Sequence, residues 1–137
     1  MTKTHMQKRK QTGFTFIELL VSATIIIVLS VIGVASFAKA GKSARDSRRR
    51  ADLAMVQQAM VQYKVNQGTG VYPEGAFSAV ITALQLSSAG YLSAGSIVDP
   101  KSPTYNYACA PCTTTSFKLT AYSEVTATAN AIFFTNP

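Results

Sequence analysis

The apolar residues of this chain are concentrated in one uninterrupted run near its N-terminus. Twenty consecutive residues without a charge extend from Leu19 to Ala38. At about 1.5 Å per residue, a helix of this length spans roughly 30 Å, which is the thickness of the hydrocarbon layer of a membrane. The pattern therefore predicts a membrane-spanning helix over residues 14–38.

Beyond Ala38 the sequence becomes polar, but no clear helix stop occurs before residue 67. Apolar residues recur at spacings of three and four, which is typical of an amphipathic helix over residues 39–67. This stripe consists of Leu53, Val56, Met60 and Tyr63. Because Gly68 and Gly70 then supply a stop, we expect one helix over residues 14–67, roughly 80 Å long at 1.5 Å per residue.

Residues 68–137 are predicted to form a small globular head. One helix is expected from apolar residues at helical spacing, namely Phe77, Val80, Ile81 and Leu84. Three β-prone runs follow, over residues 105–108, 117–122 and 129–134. The predicted fold class is therefore α+β, a long N-terminal helix whose second half packs on a small antiparallel sheet. A head of this size has little room for a deep pocket.

A single carboxylate, Glu18, lies at the start of the apolar run. An acid in such a segment is costly to insert into lipid, so a functional role is the default expectation. A short basic stretch precedes it and ends in glycine. The local sequence is Lys8-Arg9-Lys10-Gln11-Thr12-Gly13-Phe14-Thr15-Phe16-Ile17-Glu18.

These residues resemble the processing site of type IV pilins and type II secretion pseudopilins. That family combines a basic leader ending in glycine, a phenylalanine that becomes the mature N-terminus, and a glutamate at the fifth mature position. The resemblance covers residues 8–63 and, more loosely, the rest. It implies a leader over residues 1–13, which a prepilin peptidase removes by cutting after Gly13 before methylating the new amine of Phe14.

The resemblance also implies a role for Glu18 and a set of partners. In the family this carboxylate neutralises the α-amino group of a neighbouring subunit as the subunit enters a helical filament. Among packed apolar helices two opposite charges attract strongly, and either one left alone is costly. The implied partners are further copies of the chain, membrane lipid before assembly, an assembly ATPase and an inner-membrane platform protein. The alternative is that Glu18 reaches the cytoplasmic interface without further role.

One position departs from the family pattern. The family often has a proline near the twenty-second mature position, where its helix loosens during assembly. That position is Ala35 in this chain, and Gly33 is the nearest weak point.

The net charge of +7 and the pI of about 9.7 arise largely in the leader. Its four cations are Lys3, Lys8, Arg9 and Lys10, and without them the net side-chain charge is +3. Basic residues before a membrane helix hold that end in the cytoplasm. The basicity therefore indicates membrane topology, and nucleic acid is not an expected partner.

The densest charge run extends over residues 44–53. It is predicted mainly as a solvated helix face, with Asp46 within reach of Arg49 or Arg50 and Arg48 within reach of Asp52. One alternative is a belt of salt bridges between subunits. Another is phosphate binding, which is disfavoured because no aromatic residues are interleaved and the two acids dilute the field.

The motif Cys109-Ala110-Pro111-Cys112 allows a redox dithiol, half a zinc site or a structural disulfide. Zinc requires four ligands, and the only histidine, His5, lies in the leader. A reactive dithiol needs its first thiol at a helix N-terminus, but β-branched threonines follow at 113–115. We therefore predict a disulfide between Cys109 and Cys112 that closes a β-turn in an oxidising exterior.

The remaining residues argue against an enzyme. Without the leader the chain has no histidine, so it cannot form a Ser/His/Asp or Cys/His set. It has no phosphate-binding glycine loop, and the acids after Glu18 are few and scattered. No cofactor is expected, and Asp99 alone is a weak candidate for calcium, which prefers several oxygen ligands.

The sequence thus predicts a structural subunit of a type IV pilus-like filament, with a type II secretion pseudopilin as the alternative. The subunit would cross the cytoplasmic membrane once, N-terminus inside, and later lie in a periplasmic or extracellular filament. A second alternative is an anchored or secreted binding module that never polymerises. Ala38-Lys39-Ala40 imitates a signal-peptidase site that would release Gly41, but a signal core is only 7–15 residues long and does not need Glu18.

Overall fold

The computed structural model describes residues 13–93, 95 and 97–137, so the predicted leader lies outside the described residues except for Gly13. The elements in chain order are α1 (Phe16–Asn66), α2 (Phe77–Leu86), β1 (Ala108–Cys112), β2 (Phe117–Ser123) and β3 (Thr128–Thr135). The chain divides into two compact units after Phe37.

The N-terminal unit consists of the apolar part of α1. None of its described side chains is buried, and this helix is long and apolar enough to cross a membrane. Its few hydroxyl groups donate to backbone carbonyls one turn earlier, as Ser22 does to Leu19 and Ser30 does to Ile26. A helix that is apolar on all sides needs a hydrophobic environment around it, either lipid or other helices.

In the C-terminal unit, α1 packs on the sheet through the predicted stripe. Leu53, Val56 and Met60 are fully buried, and Tyr63 is half-buried. The helix ends at Asn66, and both Gly68 and Gly70 then adopt positive φ angles of 70° and 67°. Only glycine reaches that conformation at little cost, so these residues stop the helix where the sequence predicts.

The sheet is antiparallel with strand order β1-β2-β3, which confirms the α+β layout. The central strand β2 carries the most buried side chains, and Leu119 lies opposite both Cys109 and Phe134. Helix α2 closes the core with Val80, Ile81 and Leu84. The core is therefore formed by α1, α2 and one face of three strands.

The second and third predicted strands agree with β2 and β3 to within one or two residues. The first prediction, over residues 105–108, was wrong, because β1 begins only at Ala108. Residues 100–104 form turns instead, and the Tyr105 ring stacks on the Tyr122 ring with centroids 4.0 Å apart. Tyrosine is β-prone by residue type, so the sequence does not distinguish a tyrosine in a strand from one whose ring packs from a turn.

Candidate functional site

The predicted cleavage position lies just before the first helical residue. Gly13 and Phe14 are exposed and lie outside regular structure, whereas α1 begins at Phe16. The Phe14 side chain is 84% exposed. A peptide bond in an exposed, non-helical segment can adopt the extended form that proteases bind.

Glu18 has a local role that the sequence analysis missed. Its Oε2 atom accepts hydrogen bonds from the backbone N–H and the hydroxyl of Thr15, each at 2.8 Å. The Glu18 N–H donates in turn to Thr15 Oγ1 at 3.4 Å. Thr15 and Glu18 thus form a capping box, in which two free N–H groups at the helix start are satisfied reciprocally. The Thr-x-x-Glu spacing was a visible signal for it.

The capping box engages only one carboxylate oxygen of Glu18. The other, Oε1, accepts no hydrogen bond from any residue that the structure describes. The carboxylate is also exposed. Glu18 can therefore cap its own helix and still bind a cation from outside the subunit.

A comparison with protein families finds a match over the same part of the chain. The family model for the prokaryotic N-terminal methylation motif matches residues 8–35. The chain carries the prepilin-like motif of type IV pilins and pseudopilins. No curated protein and no solved structure is significantly similar to it. The matched region contains Gly13, Phe14 and Glu18.

Outside the prepilin motif, the main polar feature is a buried arginine in the C-terminal unit. Arg49 is fully buried on α1 and donates from Nε and Nη2 to both oxygens of Asp99, at 2.7 and 2.8 Å. Its Nη1 atom lies 2.8 Å from Asp46 and 2.9 Å from Glu124. One guanidinium group therefore joins carboxylates from three distant parts of the chain.

Further groups complete what we call the ionic cluster, whose charged members are Arg45, Asp46, Arg49, Asp99, Lys101 and Glu124. Arg45 donates two hydrogen bonds to Glu124, at 2.8 and 2.7 Å, and the Lys101 Nζ atom lies 3.3 Å from the same carboxylate. Three cations thus balance three carboxylates. Every buried side-chain nitrogen or oxygen among the described residues has a hydrogen-bond partner.

Asp46 also fixes the turn after β2. Its carboxylate accepts hydrogen bonds from the Ser123 hydroxyl at 2.7 Å and from the N–H groups of Glu124 and Val125 at 3.0 and 3.1 Å. Burial alone would raise the pKa of this carboxyl. These donors together with Arg49 hold its pKa below the usual value instead.

The predicted solvated face was therefore wrong for two of its residues. Arg48 and Arg50 are exposed as expected, but Asp46 and Arg49 are buried. The predicted pair Asp46–Arg49 does form, and Arg48 Nε lies 4.0 Å from Asp52. The signal that could have revealed the burial is the spacing 46, 49, 53, 56, 60, which extends the apolar stripe backwards by two turns.

The view of the acids as scattered was wrong as well, because the fold gathers Asp46, Asp99 and Glu124 around Arg49. Both oxygens of Asp99 accept from Arg49, and its Oδ1 atom accepts the Lys101 N–H as well. These contacts satisfy the carboxylate that had been the weak calcium candidate. Within the described ranges, no group of three His, Cys, Asp or Glu side chains is arranged to hold a metal ion. The ionic cluster joins α1 to Asp99 and to the turn after β2.

The two cysteines form the predicted disulfide, but not in a β-turn. Both lie in the edge strand β1, whose register shifts between Cys109 and Cys112 so that Ala110 and Pro111 are bulged out. The Cys112 carbonyl accepts a hydrogen bond from Gly75 N–H at 3.3 Å. A bulge and a proline in an edge strand both hinder pairing with strands of other molecules, and the disulfide closes this bulge.

From the ionic cluster we predict that the C-terminal unit becomes less stable in acid. Arg45, aided by Arg49 and Lys101, lowers the pKa of Glu124 from 4.5 to about 2. Because the folded pKa lies below the unfolded value, this stabilisation is complete above about pH 4.5 and is lost as the pH falls toward 2. We expect the free energy of unfolding to be constant between pH 5 and 8 and to fall below pH 4.5 by on the order of 2 kcal/mol.

Urea unfolding followed by circular dichroism at each pH measures this effect. Glu74 is exposed and forms no ion pair with a described residue, so the Glu74→Gln variant should show the same pH profile as the wild type. Unchanged stability down to pH 2.5 would contradict the assignment of Glu124 as an ionised member of the cluster.

Proposed function

We propose that this chain is a structural subunit of a type IV pilus-like filament. It is made as a prepilin, cut after Gly13 and methylated on the amine of Phe14. The observation that carries the proposal is the prepilin motif at residues 8–35, on a helix whose apolar surface is exposed all around. A motif that marks processing and a surface that needs helical partners together favour assembly from many copies.

The apolar segment serves in two environments under this proposal. Before assembly it crosses the membrane, and after assembly residues 25–29 pack against the same residues of other copies. These five consecutive Ile, Val and Leu side chains are each more than half exposed in the single chain. Because lipid tails are as apolar as these side chains, moving them from lipid into a core of helices costs little, and close packing between helices favours the filament.

The charge of Glu18 explains why cleavage has to precede assembly. Cleavage after Gly13 creates an α-amino group on Phe14, four residues before Glu18. The Oε1 atom that remains outside the capping box is available to the Phe14 amine of a neighbouring copy. Inside a core of apolar helices this pair compensates two charges that would otherwise be buried alone.

The partners and location follow from the same proposal. The basic leader lies in the cytoplasm, where the prepilin peptidase acts, and an assembly ATPase and a platform protein in the membrane extend the filament outward. The prepilin motif is shared with type II secretion pseudopilins, and the small three-stranded head favours that second candidate. Abundant long surface filaments would indicate a pilus, whereas short periplasmic assemblies would indicate a pseudopilus.

The intact mass of the chain isolated from its native cell tests the proposal first. We expect a chain that begins at Phe14 and carries one added methyl group. A start at Gly41 would indicate an ordinary secreted protein, and an intact leader in the presence of the peptidase would indicate a simple anchor. Either outcome would overturn the proposal.

A pair of glycine variants sharpens this test. Gly13→Val should block cleavage, because a branched side chain at the cut site hinders entry to the peptidase. Gly33→Ala, in the apolar part of α1, is the control, since a Cβ atom at Gly33 meets nothing within 4 Å. That variant should be processed like the wild type.

A further inference from the structure

The first turns of α1 after the apolar run carry an excess of exposed cations. Lys39, Lys42, Arg48 and Arg50 are all exposed. Lys39 and Lys42 form no ion pair with any residue that the structure describes. They begin a series of cations with a spacing of three that continues through Arg45 to Arg48.

The helix itself supplies no anion to either lysine. The residues three and four positions from Lys39 on both sides carry no carboxylate. Lys42 has Asp46 four residues later, a spacing that normally gives an ion pair. Asp46 is instead buried, and both of its oxygens accept hydrogen bonds from Arg49 and from the turn after β2.

Other copies of the chain supply too few acids. Of the five carboxylate side chains beyond Glu18, three lie inside the ionic cluster and are buried. Asp52 accepts the Tyr107 hydroxyl at 2.6 Å and lies beside Arg48. Only Glu74 is exposed. One exposed acid per copy leaves most of these exposed cations without a carboxylate partner on other copies.

The position of the lysines in the sequence places them next to the end of the apolar segment. They follow Ala38 by one and four residues, which is about 1.5 and 6 Å of helix. The polar headgroup layer is roughly 5–8 Å thick on each side of a membrane. Arg48 and Arg50 follow Ala38 by about 15 and 18 Å, which is beyond that layer.

We propose that Lys39 and Lys42 bind the phosphate groups of anionic phospholipids in the non-cytoplasmic leaflet. This inference rests on the insertion of the apolar helix in a membrane, as the proposed function requires. Nucleic acid is disfavoured, because no aromatic side chain occurs between residues 38 and 62 on which bases could stack. The lipid contact strengthens retention before assembly and is released when the subunit leaves the membrane.

Native mass spectrometry of the full chain in a neutral detergent tests the lipid contact. The four leader cations are replaced by glutamine in every sample, because they would bind anionic lipid themselves. Short-chain phosphatidylglycerol and phosphatidylcholine serve as the anionic and zwitterionic probes. Lys39→Gln/Lys42→Gln should weaken phosphatidylglycerol binding by about 30-fold, or roughly fivefold per lysine.

Arg48→Gln/Arg50→Gln is the matched control, since it removes two exposed cations from the same helix. It should change phosphatidylglycerol binding less than twofold and leave the circular dichroism spectrum unchanged. The proposal is overturned if this control loses as much affinity as the lysine variant, or if the starting chain does not prefer phosphatidylglycerol. It is also overturned if both pairs contribute equally to binding of a single-stranded oligonucleotide, because the surface would then bind nucleic acid.

The outcome is separable from that of the proposed function. Correct processing at Phe14 with no lysine effect leaves the filament subunit in place and removes only the lipid contact. A lysine effect on a chain that is never cleaved in its native cell supports the lipid contact and removes the filament.

Discussion

Replacing Arg49 with methionine is expected to destabilise the C-terminal unit by about 3–5 kcal/mol. Methionine keeps an unbranched apolar stem out to about the position of Nε, and the change removes the charged end of the guanidinium group. The Asp99 carboxylate loses the two hydrogen bonds that Arg49 donates to it. Asp46 and Glu124 each lose a cation within 3 Å. Removing one partner of a buried ion pair costs about 3–5 kcal/mol, and a small domain has only about 5–15 kcal/mol of stability in total.

Urea unfolding of the full chain in detergent measures this loss, with circular dichroism as the signal. The matched control is Arg50→Met, an identical change at the next residue, which is exposed. It should shift the free energy of unfolding by less than about 0.5 kcal/mol. Equal stability of the two variants would show that the ionic cluster does not hold the fold.

A second substitution separates unpaired charge from lost packing. In the Arg49→Met background, Asp99→Leu removes the carboxylate that depends most on Arg49. We expect the double variant to be more stable than Arg49→Met alone, because an apolar group replaces a buried charge without a partner. A defect caused by poor packing of methionine would instead become larger or stay the same.

The helices and two of the three strands could be predicted because their signals are local. The stripe from Leu53 to Met60 follows the helical period, and Gly68 and Gly70 mark the end of α1. Strand β1 could not be placed, because the bulge at Ala110 and Pro111 has no alternation of apolar and polar residues. Tyr105 also favoured a strand by composition, although it packs from a turn.

The ionic cluster shows why long-range contacts are harder to predict. Arg49 is separated from Asp99 by 50 residues, and Arg45 from Glu124 by 79. Local spacing suggested the pair Asp46–Arg49, but it could not show whether that pair faces solvent or the core. Its burial depends on the turn after β2, whose N–H groups satisfy Asp46. Only the tertiary fold brings that turn to the helix.

The prepilin motif could be recognised for the opposite reason, because Gly13, Phe14 and Glu18 lie within six residues. The resemblance nevertheless gave Glu18 one role only, in assembly. The structure adds the capping box with Thr15. A substitution at Glu18 can therefore affect both the helix cap and the negative charge.

Replacing Glu18 with glutamine is expected to abolish filament assembly while leaving cleavage and the helix start intact. The glutamine oxygen can still accept the Thr15 N–H, since a capping box functions with either residue. What is lost is the negative charge, so the α-amino group of Phe14 in a neighbouring copy would be buried unpaired. A cost of roughly 3 kcal/mol corresponds to about a hundredfold less filament.

Quantifying filaments sheared from cells, with the cell-associated mature chain as reference, measures this effect. Thr15→Ala is the converse control, because it weakens the cap and keeps the charge. Losing a cap costs about 1 kcal/mol, so filament yield should fall by only a few fold. If Glu18→Gln assembled like the wild type while Thr15→Ala and Glu18→Ala failed, the carboxylate would act as a helix cap. The Phe14 α-amino group would then have to pair with another anion or stay outside the apolar core of the filament.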